Sequence, residues 1–167
     1  MHDGFAKIIE MSEFLKIKNT LGKIVCASGG FDPIHPGHTH YIIDSKQYGD
    51  TLVVIVNGDD FLIKKKGYNF MNLRTRCITV SSIRNVDYVI PFEIKGDSTV
   101  IKALEIIKPN IFTKGGDRTN KKNIPEWGIC NKLNIDIKLQ VGVKEIWSSS
   151  GLVNDVIETI KRNGVIS

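Results

Sequence analysis

The sequence lacks the features of a secreted or membrane-spanning protein. No apolar run approaches the roughly 18 residues that a bilayer-spanning helix requires. Charged residues interrupt the first twenty positions, so the apolar stretch of a secretory signal is missing there. The three cysteines, Cys26, Cys77 and Cys130, are an odd number, and none are close enough in sequence for a metal or redox motif. We therefore expect reduced thiols, no membrane association and a cytoplasmic location.

Other absences narrow the possible functions. There is no internal repeat, no low-complexity tract, no Walker lysine and no dinucleotide-binding fingerprint. The 167 residues suffice for one domain with a real core. The formal net charge of +5 indicates an anionic partner, either nucleic acid or a polyanionic small molecule. The lysines are not interleaved with aromatic residues, which argues against nucleic acid.

What the sequence does contain is an alternation of apolar strands and helical segments. Strands are predicted at residues 23–28, 51–57, 87–91, 110–113 and 135–141. Helices are predicted at residues 4–18, 38–48, 72–85, 97–108, 125–133 and 149–162. This order predicts an α/β fold with a Rossmann-like, doubly wound parallel sheet in three α/β/α layers. We expect a helical extension over residues 1–22 and one α/β domain over residues 23–167.

The loop after the first predicted strand carries the strongest signal. Residues 28–38 read SGGFDPIHPGH and connect that strand to a helix. Gly29 and Gly30 allow the backbone amides to approach a ligand closely. His38 would lie near the N-terminus of the helix, which favours phosphate, and His35 lies three residues before it. Two imidazoles at this position would stabilise charge that grows on a phosphate during its transfer. A zinc site would need a third ligand, and none stands at suitable spacing.

The segment GGFDPIHPGH resembles the HxGH signature of the cytidylyltransferase-like nucleotidyltransferases. The sequence is similar to glycerol-3-phosphate cytidylyltransferases and to the nucleotidyltransferase domain of ADP-heptose synthesis enzymes. KGGD at residues 114–117 resembles the heptose enzymes, and IRNVD at residues 83–87 resembles the glycerol-phosphate enzymes. SSSGLV at residues 148–153 stands where the family has a Ser-Thr-Thr motif.

The resemblance implies a set of site residues. The catalytic group would be His35, His38 and Lys65. Nucleotide binding is expected from the glycine-rich loop and from later loops, namely Gly29, Gly30, Phe31, Asp32, Arg84, Gly116, Asp117, Ser148, Ser149 and Ser150. Further candidates for the acceptor or the phosphates are Lys64, Arg76 and Lys144. Gly67 and Arg118 depart from the family pattern.

Several of these residues also have ordinary structural interpretations. Lys64, Lys65 and Lys66 follow the second predicted strand and could be a solvated charge run. Arg76 and Arg84 are eight residues apart on a predicted helix and share one face, which could be plain surface. The serines at residues 148–150 could be a helix N-cap without a ligand.

The implied reaction is in-line attack by an acceptor phosphate on the α-phosphorus of a nucleoside triphosphate. A phosphate monoester is already a nucleophile near neutral pH, and the sequence offers no convincing general base. We expect Mg²⁺ to accompany the nucleotide, with few protein ligands and no protein metal site. CTP is favoured over ATP because Arg84 matches an arginine near the pyrimidine, and the acceptor is expected to be a sugar or polyol phosphate. A homodimer is expected. The alternatives are an ATP-dependent enzyme and a non-catalytic protein that binds nucleotides or nucleic acid.

Overall fold

A parallel sheet forms the centre of the molecule. The computed structural model describes residues 4–94, 99–116, 119–143 and 147–164. In these ranges six strands pair in the order β1-β4-β3-β2-β5-β6, and every pairing is parallel. The strands are β1 (Lys7–Ile8), β2 (Ile24–Gly29), β3 (Thr51–Asn57), β4 (Tyr88–Phe92), β5 (Ile111–Thr113) and β6 (Asp136–Lys138). The predicted doubly wound parallel sheet is confirmed.

Helices cover both faces of this sheet. They are α1 (Met11–Ile17), α2 (Pro36–Ser45), α3 (Asp59–Lys66), α4 (Leu73–Ser81), α5 (Ile101–Ile107), α6 (Trp127–Lys132) and α7 (Ser149–Asn163). One core cluster includes Phe14 of α1, Leu104 of α5 and Cys130 of α6. The other includes Ile42 of α2 and Val80 of α4. Because β3 lies between these two layers, all seven of its residues are buried.

The N-terminal segment differs from the predicted helix over residues 4–18. It contributes the edge strand β1, which pairs with β4, and then the shorter helix α1. Ile9 and Phe14 are buried in the core, so this segment is packed into the same sheet and core as the rest of the chain. Burial of these apolar side chains favours the strand and fixes where the helix begins.

Two further elements differ from the sequence-based expectation. The predicted helix over residues 72–85 starts as expected, with the side chain of Asn72 accepting from the N–H of Thr75, but α4 ends at Ser81. Ser82 Oγ donates to the carbonyl of Thr79 where the helix ends, and Asn85, with a positive φ of 72°, prevents helix from continuing through the turn that follows. No helix was predicted for the lysines after β3, yet they form the last turn of α3, where they complement the helix dipole.

The direction of the chain through the sheet defines where a ligand would bind. From β2 the chain runs outwards through β3 and β4, and it then returns to place β5 on the other side of β2. The order of strands therefore reverses between β2 and β5. In open parallel sheets, ligands bind at the carboxyl ends of the strands next to this point.

Candidate functional site

A cavity of about 350 Å³ opens at the carboxyl ends of β2, β3 and β5. Its walls come from the segments that follow these strands, from α2 and from the starts of α5 and α6. The lining residues are Ser28, Gly29, Gly30, Phe31, Gly37, His38, Tyr41, Asn57, Phe61, Lys65, Thr99, Val100, Lys114, Gly115, Gly116, Pro125, Glu126, Val141 and Val143.

The glycine pair after β2 is required by close packing. A Cβ added at Gly29 would lie 2.8 Å from the ring of Phe31, and one at Gly30 would lie 2.6 Å from Leu62 Cδ2. Phe31 has a positive φ of 52°, and its side chain is buried. A side chain at either glycine would therefore displace Phe31 or Leu62, and glycine lets the loop backbone pack closely against them.

The two histidines of the loop lie against each other at the start of α2. His35 is the N-cap residue, and its Nδ1 accepts a hydrogen bond from the backbone N–H of His38 at 3.4 Å. The two rings stack with centroids 3.7 Å apart, and the Phe31 ring packs edge-on against His38. His38 lines the cavity, whereas His35 is buried behind it and is not among the described lining residues.

The surroundings of His38 determine its charge state. Burial lowers the pKa of His38 to about 3, and the neighbouring His35, Lys65 and Lys66 lower it in the same direction. At neutral pH the ligand-free protein therefore holds this imidazole uncharged. In this state the ring acts on a phosphate through a hydrogen bond rather than through a positive charge.

The three lysines at the end of α3 have different surroundings. Lys65 lines the cavity, and its ammonium lies 5.6 Å from the centroid of the Phe61 ring. Lys66 forms an ion pair with Asp32 at 2.9 Å. Lys64 is exposed and is not among the described lining residues. Only Lys65 of the three is therefore placed to reach a ligand in this cavity.

Asp32 holds the loop after β2 in place through contacts with protein groups. Its carboxylate is buried and accepts hydrogen bonds from the backbone N–H groups of Phe70 and Met71, at 2.8 and 2.7 Å, besides Lys66. These contacts tie the loop after β2 to the segment after α3. Asp32 was expected among the nucleotide-binding residues, but it is not among the described residues that line the cavity, and its contacts instead orient the loop.

Arg76 was a candidate for phosphate contact, but the structure gives it a different place. Its side chain is fully buried, with Nη1 donating to the carbonyls of Gly30 and Asn57 at 2.8 and 2.6 Å. Nε donates to the carbonyl of Met71, and Nη2 pairs with Asp59 at 2.6 Å. The guanidinium therefore forms its hydrogen bonds with protein acceptors, and these contacts give it a structural role.

Arg84 does not share a helix face with Arg76. Because α4 ends at Ser81, Arg84 lies in the turn that follows, where it is exposed. It is not among the described residues that line the cavity.

Of the remaining candidate residues, the structure describes Gly116 and the three serines at residues 148–150. Gly116 lines the cavity. Ser148 caps α7 by accepting from the N–H of Gly151, Ser149 Oγ donates to the carbonyl of Pro33 at 2.9 Å, and Ser150 is exposed. The Ser149 contact holds the start of α7 against the histidine loop. Asp117, Arg118 and Lys144 lie outside the described residues.

Some cavity residues were not anticipated from the sequence. Tyr41 donates to the carbonyl of Thr113 at 2.7 Å and accepts from the N–H of Ser28, and burial raises its pKa to about 12. Asn57 and Glu126 also line the cavity. A polar residue at the end of an apolar strand is a signal that could have identified Asn57, whereas Glu126 has none in its local sequence.

The described ranges contain no group of three or more His, Cys, Asp or Glu side chains that could hold a metal ion. In the same part of the chain, no helix is both long and apolar enough to cross a membrane.

Comparisons with known proteins agree with this geometry. A model of the cytidylyltransferase-like family matches residues 26–165. The bifunctional protein HldE of Helicobacter pylori strain J99 is 33% identical over 159 residues, which cover 93% of this chain and 32% of that protein. The HldE of Nitrosococcus oceani is 35% identical over 119 residues, covering 70% of this chain and 24% of that protein. The chain thus spans about a quarter to a third of the length of these relatives.

Two solved structures are similar to this chain. A lipopolysaccharide core biosynthesis protein from Thermoplasma volcanium has a TM-score of 0.61 and 32% identity, covering 74% of this chain and 98% of that one. A pantoate-beta-alanine ligase from Francisella tularensis has a TM-score of 0.67 at 16% identity, covering 89% of this chain and 73% of that one, which shows a shared fold. The chain therefore belongs to the cytidylyltransferase-like family, and the prediction of a nucleotidyltransferase from its histidine motif is confirmed at that level.

Proposed function

We propose that this protein transfers a nucleoside monophosphate from a nucleoside triphosphate to a phosphorylated sugar or polyol, with release of pyrophosphate. The observation that carries the proposal is the meeting of Gly29, Gly30, His38 and Lys65 around one cavity at the N-terminus of α2. Each of these groups can donate to phosphate oxygens or neutralise them.

The reaction would proceed by in-line displacement at the α-phosphorus. An oxygen of the acceptor's phosphate attacks, a new P–O bond forms, and the bond to pyrophosphate breaks. The ionised acceptor carries the attacking electron pair, so no protein base is needed. The chain's contribution is alignment by the loop amides and stabilisation of developing charge by His38 and Lys65.

Mg²⁺ is expected to enter with the triphosphate and to supply charge neutralisation there. The described carboxylates of the site fit this view, because Asp32 is occupied by protein donors and Glu126 is paired with Lys114. Neither offers the open carboxylate cluster that an all-protein magnesium site would need, so the ion would be held by phosphate oxygens and water.

For the nucleobase, two observations favour ATP over CTP. CTP was favoured through Arg84, which is exposed and outside the described cavity lining. The KGGD sequence resembles the heptose enzymes, and the relatives include HldE. We therefore propose ATP as the first candidate and CTP as the second.

Assembly is a further part of the proposal. A homodimer stays a prediction from the resemblance, and sedimentation velocity of the purified chain would test it.

The function is tested by a pyrophosphate-release screen. The four nucleoside triphosphates are combined with aldose 1-phosphates, glycerol 3-phosphate and related polyol phosphates, in the presence of Mg²⁺. We expect release only when triphosphate and a phosphorylated acceptor are both present, with a nucleotidylated product seen by mass spectrometry. Nucleotide binding without release from any pair would favour the non-catalytic alternative.

A further inference from the structure

The strands on the two sides of the cavity separate where the cavity opens. Within the described ranges, the pairing of β2 with β5 ends at Cys26 and Phe112. Beyond that point β2 stays paired with β3 as far as Gly29, and β5 stays paired with β6. The cavity therefore lies between two strand ends whose backbones are no longer paired, so another contact determines the distance between them.

The side chain of Tyr41 spans this gap. Its hydroxyl accepts a hydrogen bond from the N–H of Ser28, near the end of β2, at 3.1 Å. The same hydroxyl donates to the carbonyl of Thr113, the last residue of β5, at 2.7 Å. Tyr41 is buried, and a buried hydroxyl that has both a donor and an acceptor partner is held in one position. A single oxygen atom therefore bridges the two strand ends.

The segments that follow β5 and β6 pack directly on Tyr41. A Cβ added at Gly115 would lie 3.1 Å from the Tyr41 ring, and one at Gly142 would lie 2.8 Å from the Tyr41 backbone nitrogen. The N–H of Val141 donates to the carbonyl of Lys114 at 3.1 Å, which joins the two segments to each other. The position of this wall of the cavity therefore depends on the position of Tyr41.

Tyr41 also belongs to the helix that carries the histidine motif. It follows His38 by three residues on α2, so the two side chains lie on one face of that helix, and both line the cavity. The hydroxyl bridge therefore connects the helix of His38 to the ends of β2 and β5. A displacement at Tyr41 would move His38 relative to the groups that follow β5.

The hydroxyl of Tyr41 is not suited to proton transfer with a ligand. Its proton is donated to the carbonyl of Thr113, and burial raises the pKa of Tyr41 to about 12, so the phenol stays protonated at neutral pH. Its acceptor capacity is used by the N–H of Ser28. Any effect of this hydroxyl on a reaction in the cavity is therefore exerted through geometry.

We propose that Tyr41 is a positioning residue that sets the width of the cavity between the loop after β2 and the segment after β5. This inference rests on the proposed function. In-line displacement is sensitive to alignment, and a displacement of about 1 Å can lower its rate about a hundredfold. Binding of the triphosphate depends on separate contacts that tolerate a small shift, so we expect the effect in kcat rather than in affinity.

The test is Tyr41→Phe, which keeps the ring and removes the bridge. The kcat with the best reactant pair of the screen should fall by about tenfold, while the Kd of the triphosphate, measured by calorimetry, should change less than about threefold. Tyr48→Phe is the matched control, because it removes the hydroxyl of another partly buried tyrosine that does not line the cavity among the described residues. It should leave both quantities unchanged.

Hydrogen exchange followed by NMR gives a readout that needs no activity. In Tyr41→Phe the Ser28 amide loses its acceptor and should exchange at least about tenfold faster than in the wild type. The Ile24 amide, which donates to Asn110 Oδ1 at the other end of β2, should keep its protection.

Three results would overturn the inference. In the first, folded Tyr41→Phe has wild-type kcat, which is also the result expected if the hydroxyl serves folding alone. In the second, the loss appears in the Kd of the triphosphate and not in kcat. In the third, the Ser28 amide exchanges at the wild-type rate. Failure of the proposed function is distinct, because the wild type would then release no acceptor-dependent pyrophosphate, while the exchange of Ser28 would still report on the bridge.

A second variant carries the test if Tyr41→Phe does not fold. Gly115→Ala keeps the hydroxyl, and its added methyl group meets the Tyr41 ring, so the segment after β5 must shift away from the ring. We expect the same pattern of a lowered kcat with a retained Kd for the triphosphate. A wild-type kcat in this variant, or a loss confined to Kd, would contradict the positioning role.

Discussion

At the scale of single residues, the candidate site combines side chains with very different conformational freedom. His38 is held between His35 and Phe31, whereas Lys65 is exposed at the end of α3. The His38 ring is therefore positioned before a ligand binds, whereas the Lys65 side chain becomes ordered when the ligand binds. Pre-positioned donors lose little entropy during the reaction, which is why we assign the larger catalytic effect to His38.

The low pKa of His38 leads to a prediction on protonation. Burial penalises the imidazolium, so the ring takes up a proton only as the pH falls towards about 3, instead of near its ordinary 6.5. In ¹H–¹⁵N NMR spectra of the ligand-free protein, the His38 ring signals should stay constant from pH 8 to pH 5. A His38 midpoint between pH 6 and 7 would contradict the neutral assignment.

The lysines of α3 can be separated by substitution. Lys65→Ala should lower kcat/KM for the triphosphate by roughly tenfold or more, because Lys65 alone of the three lines the cavity. Lys64→Ala is the matched control and should change it less than about twofold. Lys66→Ala removes the partner of Asp32 and should lower the melting temperature as well. Equal, mild effects of all three on kcat/KM would indicate a solvated charge run instead.

Residue roles were harder to predict than residue importance. The histidine loop could be identified from the spacing of Gly29, Gly30, His35 and His38. The role of Arg76 could not, because a buried arginine with four protein acceptors has the same local sequence as a surface arginine. Glu126 depends on Lys114, twelve residues earlier, and their contact exists only after β5 and α6 are packed.

At the scale of elements, Arg76 of α4 connects the parts that shape the cavity. It bonds to the loop after β2, to the end of β3, to Asp59 at the start of α3 and to the segment after α3. Asp32 also connects two of these parts, because its carboxylate in the loop after β2 accepts hydrogen bonds from the segment after α3. The floor of the site is therefore a network of side chains bonded to backbone groups, and not a ligand surface.

This network predicts a loss of stability rather than a loss of binding. Lysine cannot reach four acceptors at once, so Arg76→Lys leaves buried carbonyls without donors. The free energy of unfolding, measured in urea, should fall by about 3 kcal/mol. Arg74→Lys, on the exposed face of the same helix, should change it by less than about 0.5 kcal/mol. An Arg76→Lys protein of wild-type stability with a raised KM for the triphosphate would restore the phosphate-binding assignment.

Elements were predicted well where the pattern was long and apolar. The bounds of β3 agree with the prediction, because seven consecutive buried residues leave no ambiguity. The helix α3 was missed because its apolar positions are few and its end is a lysine run. The strand β1 has only two residues, and pairing with β4 rather than its own sequence makes it a strand.

At the scale of the whole molecule, the function follows from where the chain reverses direction in the sheet. Strands on both sides of β2 bring their carboxyl ends to one edge, and the histidine loop, α3 and the segments after β5 meet there. The fold class and this edge could be predicted from the alternation of strands and helices. Contacts inside the cavity, such as the ion pair between Lys114 and Glu126, could not be predicted, because they join segments that are distant in sequence.

The most direct test of the account is acceptor-dependent nucleotidyl transfer by the wild type and by His38→Ala. The measurement is the steady-state rate of pyrophosphate release with the best pair of the screen, together with the mass of the product. We predict that His38→Ala lowers kcat by about two to three orders of magnitude with little change in the free energy of unfolding. His40→Ala, an exposed histidine on the same helix, should retain wild-type rates. A His38→Ala protein with more than about a third of the wild-type turnover would contradict the account.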